Sequence, residues 1–153
     1  MTTARPLPDP DEYPGRDVVI YDGHCEFCGT QVRNLLAMDK WSSVVGFTRR
    51  LAFVSLHDAR VKERFPDLSY DMLMEQMYVV TPAGTKFGGG DAVRYLSRRL
   101  PVLWPVMPIL HLPGTASLWR RCYQWIARQR YRWNKDECEN GACAVHLKPK
   151  QDR

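Results

Sequence analysis

The chain has 153 residues, 44% of them apolar and 25% charged, with five cysteines and a net charge of +5. That length suits one domain able to hold a core without covalent staples, and the composition argues against collagen, coiled coil and wholesale disorder. An odd cysteine count with no apolar leader speaks against a secreted disulfide framework and makes a reducing cytoplasm the expected compartment.

Residues 1–16 carry Pro6, Pro8, Pro10 and Pro14 among acids and read as a flexible or extended lead-in. Asp17 to Tyr21 has a continuous apolar centre, the pattern of a strand buried on both faces. After an Asp22-Gly23 turn, a helix is expected from Glu26 to Lys40, stopping before Ser42-Ser43. Cys28, Val32, Leu35 and Leu36 share one of its faces. Leu51 to Leu56 reads as a second strand, and Asp58 caps a short helix closed by Pro66. Residues 67–75 suggest a helical turn. Gln76 to Val80 predicts a third strand, joined through Pro82-Ala83-Gly84 to a fourth at Thr85 to Phe87.

Asp91 is the expected N-cap of a helix over 92–99. Prolines then break the apolar stretch from Leu100 to Pro113, and no run of 18 apolar residues exists, so no transmembrane helix is expected. A last helix is predicted over 117–133, with Leu118, Cys122, Trp125, Ile126 and Trp133 on one face and Cys122 read as a core residue. Residues 134–153 form a polar, cysteine-bearing tail. This order predicts an α/β domain over 17–133. Its expected form is a thioredoxin-like fold, a central four-stranded mixed sheet flanked by helices, with an appended C-terminal helical segment. The late arginines (Arg120, Arg121, Arg128, Arg130, Arg132) fit a solvated helix face. No nucleic-acid motif accompanies them, so no nucleic-acid partner is expected.

The sharpest feature is Asp22-Gly23-His24-Cys25-Glu26-Phe27-Cys28, a C-x-x-C pair where a buried strand hands over to a helix. Unpaired amides and the macrodipole at a helix N-terminus favour an anion, and the thiolate is the attacking form of cysteine. Cys25 is therefore the expected nucleophile. Cys28, one turn later, is placed to resolve a mixed disulfide. Asp22 is either a turn residue or a proton carrier for one of the thiols. His24 reads as solvent-facing, and Glu26 opposes the thiolate, which predicts a modest rather than strongly oxidising potential.

With those residues in hand, the chain resembles the DCC family of predicted thiol–disulfide oxidoreductases, whose aspartate and two cysteines correspond to Asp22, Cys25 and Cys28. Val79-Val80-Thr81-Pro82-Ala83-Gly84 with Gly90-Asp91-Ala92, and the segment from Tyr123 to Tyr131, are similar to the family's hairpin and closing helix. The resemblance implies a thioredoxin-like fold and disulfide exchange with a protein or low-molecular-weight thiol or disulfide, and it calls for no cofactor. One departure is that Asp71 to Met77 lacks the proline that many thioredoxin-fold enzymes place before the third strand.

Cys138 and Cys143, followed by His146, leave three readings open. They are a second redox disulfide, unstructured thiols, or zinc ligands completed by His146 with His111 or by the Cys25–Cys28 pair. The last of these makes a zinc-stabilised binding module the alternative to an enzyme.

Overall fold

A computed structural model describes residues 7–133, with side chains to residue 129. Four strands, β1 (Asp17–Tyr21), β2 (Leu51–Ser55), β3 (Tyr78–Val80) and β4 (Lys86–Gly88), form one mixed sheet in the order β2-β1-β3-β4. β1 pairs parallel with β2, with Tyr21 opposite Ser55, and antiparallel with β3, which pairs antiparallel with β4. The helices are α1 (Glu26–Val44), α2 (Ala59–Arg64), α3 (Tyr70–Glu75), α4 (Gly89–Arg99), α5 (Met107–Leu110) and α6 (Ala116–Trp133), with a 3₁₀ turn at Pro101–Leu103. The architecture is thus α/β, a four-stranded mixed sheet with helices, consistent with a thioredoxin-like arrangement.

Alternation along the strands splits the core in two. Val18, Ile20, Val54, Tyr78 and Val80 face α2 and α3, where Val61, Phe65, Leu73 and Met74 cover them. Val19, Phe53 and Val79 face the other way, against Val32 and Leu36 of α1 and Ala92, Leu96 and Leu100 of α4 and its end. The capping residue Asp58 behaves as the sequence indicates, its carboxylate accepting the Arg60 N–H at 3.0 Å. Ser69 caps α3 in the same way, and a helix runs over Tyr70–Glu75 where a helical turn is expected within 67–75.

Several boundaries differ from expectation. α1 runs to Val44 rather than Lys40. Ser42 and Ser43 return their hydroxyls to the carbonyls of Met38 and Lys40, so the serines stay inside the helix. β3 is shorter than expected because Gln76 serves as the C-cap of α3. Asp91 is not the N-cap of α4. The helix starts three residues earlier, at Gly89 with Gly88 as N-cap, and Asp91 sits in its first turn, bonded to Arg120 at 2.9 Å. Cys122 is exposed rather than part of the core, as are Leu118 and Trp125 on the same stripe of α6. No helix among the described residues is long and apolar enough to cross a membrane.

Candidate active site

The parallel pairing of β1 with β2 brings the segments that follow both strands to the same end of the sheet. Leu56 N–H donates to Tyr21 O at 2.8 Å, so the Asp22–Cys25 turn lies beside the Ser55–His57 loop. The fit is close at Gly23, where a Cβ would stand 2.6 Å from Ser55 Oγ. A larger residue at Gly23 would require the Ser55 hydroxyl to swing aside.

Cys25 is the N-cap of α1, with extended backbone (φ −97°, ψ 113°). Its Sγ accepts the Cys28 N–H at 3.3 Å, so the sulfur takes the place that a serine or aspartate oxygen holds in an ordinary cap. Cys25 N–H donates to Asp22 O at 3.3 Å and its carbonyl accepts Gly29 N–H at 2.9 Å, which fixes the turn on both sides. Cys25 is buried, Cys28 half-buried, and the two residues come within 2.8 Å of each other.

Asp22 is buried. Its Oδ1 accepts the His24 N–H at 3.0 Å and lies 3.0 Å from His57 Nε2. The His24 and His57 rings stack with centroids 3.9 Å apart, and His57 meets Tyr70 edge-on at 5.9 Å. His24 is exposed, as its sequence position suggests, but the stack makes it part of the histidine pair. Asp22 is thus a turn residue that also anchors a histidine from a different strand end.

His57 is the site residue that sequence reasoning missed. It stands alone between Leu56 and Asp58 with no spacing signal. Only the Tyr21–Ser55 register carries it to Asp22. Asp22, His24 and His57 each offer one ligand atom, all within 4.8 Å of one another, and they are the group of metal-ligand type that the described residues bring together. Cys25 and Cys28 are not part of it. Of the sequence's metal candidates, Cys138, Cys143 and His146 lie outside the described residues. The His111 ring is held by Ser97 Oγ and the Arg94 carbonyl on Nε2, at 3.2 and 3.0 Å, and by Arg98 on Nδ1 at 3.0 Å.

The family model of the DCC1-like thiol-disulfide oxidoreductases matches residues 19–136. The chain belongs to that family. No curated protein and no solved structure matches it. The matched span includes Asp22, Cys25 and Cys28 at the strand-to-helix junction and all of α6.

Proposed function

We propose that this DCC1-like protein exchanges dithiol for disulfide through Cys25 and Cys28 on a thioredoxin-like fold, in a reducing cytoplasm, with a protein or low-molecular-weight partner. The observation that carries the reading is the sulfur cap: Cys25 Sγ receives an N–H at the start of a 19-residue helix, where the backbone favours a negative charge. A Cys25 thiolate attacks one sulfur of the substrate disulfide, and that S–S bond breaks as the other half leaves as a thiol. Cys28 then attacks Cys25 Sγ, breaking the mixed disulfide and releasing the second thiol. Two protein thiols are oxidised to one disulfide while one substrate disulfide is reduced to two thiols. The reverse direction runs through the same intermediates.

Asp22 is the proposed proton carrier for the thiols, and His57, 3.0 Å from its carboxylate, positions it. Glu26 in the first turn of α1 places a second negative charge near the developing thiolate and supports a modest potential.

The deciding experiment is a trap. Cys28→Ser should accumulate a mixed disulfide on Cys25, seen by mass mapping after exposure to a small disulfide, and Cys25→Ser should form none. Absence of any adduct, together with oxidised wild-type protein that shows no Cys25–Cys28 bond, defeats the reading. Asp22→Asn should slow exchange by roughly 10²-fold and alter the pH profile of the resolving step, the size expected for a lost general acid–base group.

A further inference from the structure

Next to the cysteine pair, α1, α3, α4 and α6 enclose a cavity of about 440 Å³, within the size range of small-molecule sites. Cys28 and Asp22 stand in its wall. The rest is built largely from apolar side chains, among them Phe27, Leu35, Met77, Val93, Ile126 and Ala127. The polar exceptions are few. Burial raises the Tyr21 phenol above its ordinary value, so Tyr21 is a neutral hydroxyl there. Tyr123 accepts the Met77 N–H at 3.1 Å, which ties α6 to the residue before β3. Among the described residues no lysine or arginine lines the cavity, and the one acidic side chain there is Asp22.

We infer that this cavity holds the body of the substrate, and that the substrate is a small disulfide, or the corresponding thiol, with an uncharged apolar group of about the bulk of a phenyl-alkyl chain. The inference rests on the dithiol reading and adds the substrate class to it. Two features of the wall select against a charged peptide thiol. Its carboxylates would meet no cation among the described residues of the wall, and they would be brought toward Asp22. Residues 134–153 are a poor occupant, since that polar stretch offers only Val145 and Leu147 as large apolar residues. An apolar body seated here sets its sulfur beside Cys28, with Cys25 within 2.8 Å of that residue. Both steps of the exchange then proceed without moving the ligand: Cys25 attacks the seated sulfur, the distal half leaves as a thiol, and Cys28 displaces the seated half from Cys25.

The test uses the full chain, fully reduced, in single turnover. The rate of oxidation of the Cys25–Cys28 pair is followed by acid quench, alkylation and mass. Two probes are compared, phenethyl 2-hydroxyethyl disulfide and bis(2-hydroxyethyl) disulfide, each referred to its rate with a free dithiol in solution. The apolar probe should be favoured by about tenfold or more, the gain expected from burying one phenyl-alkyl group. Its non-reducible thioether analogue should compete with it. Filling the cavity with Val93→Phe or Ala127→Phe, each checked for a native melting transition, should pull the ratio toward the solution value.

A ratio no greater than that in solution, with both probes turned over, overturns the apolar site and leaves the dithiol reading standing. A disulfide-linked peptide that outpaces the phenethyl probe also overturns it, by making the occupant a protein segment. No oxidation by any disulfide ends the underlying reading itself.

Discussion

Helices α1 and α6 are nearly equal in length, 19 and 18 residues, and each carries an apolar stripe at helical spacing, yet the stripes meet opposite fates. On α1, Val32 and Leu36 are buried against Val19 and Phe53 of the sheet. On α6, Leu118 and Trp125 stay 54% and 61% exposed. The contrast shows that periodicity specifies a face, whereas a covering partner decides whether that face becomes core. α1 follows β1 through a four-residue turn and lies along the sheet. α6 arrives after the proline-broken 100–113 segment and rests on α4 through the opposite side of its own cylinder, where Tyr123 reaches Met77 and Arg120 reaches Asp91.

The largest expected effect separates the two faces directly. Leu36→Ala should cost about 2–5 kcal/mol in denaturant unfolding, the range for truncating a packed leucine. Leu118→Ala should change stability by less than about 0.5 kcal/mol, as an exposed position does. A Leu118→Ala penalty as large as that of Leu36→Ala would break the comparison, because it would mean that the outer face of α6 is covered in solution.

A smaller effect should come from the seam between α4 and α6. At Gly90 an added Cβ would lie 3.1 Å from Arg120 Cα and from Trp119 O, backbone atoms that cannot rotate away. Gly90→Ala should therefore cost about 1–3 kcal/mol, the range for overpacking, and push α6 outward. Faster hydrogen exchange at the Met77 N–H, which Tyr123 of α6 holds, would report the shift. Unchanged exchange there would show that the seam opens elsewhere.

What the sequence made legible was local. The C-x-x-C at a strand–helix junction, the Asp58 cap and the two-sided burial of β1 each depend on residues within a few positions of one another. What it hid depends on tertiary placement. His57 carries no pattern of its own and reaches Asp22 only through the parallel register of β1 and β2. Cys122 sits on a stripe that looks like core, yet it is exposed. Asp39, toward the end of α1, is a buried carboxylate whose oxygens accept the Arg50 and Leu51 N–H groups at 2.9 and 3.5 Å. It ties the end of α1 to the start of β2, although its desolvation raises its pKa above the ordinary carboxylate value. A single aspartate in a helix gives no hint of such a task.

The smallest expected effect concerns a third kind of attachment, polar where that of α1 is apolar. Pro8 O accepts the Phe53 N–H at 2.8 Å, and Asp9, Asp11 and Asp58 gather around Arg60, which holds residues 7–16 to α2. The Arg60 hydrogen bonds draw the Asp9 and Asp58 carboxyls below their ordinary value of 3.8. A folded pKa below the unfolded one contributes stability that is fully present above the unfolded value and is lost as pH falls through the lowered one. Arg60→Ala should therefore speed hydrogen exchange at the Phe53 N–H at neutral pH, and the difference from wild type should vanish in strong acid. Because the cluster is exposed, added salt should shrink the difference as well. The same test on Leu36→Ala should show little salt dependence, since burial of apolar surface involves no charge. If Arg60→Ala were instead insensitive to both acid and salt, Pro8 and its neighbours would be held by packing, and the lead-in would belong with α1 rather than apart from it.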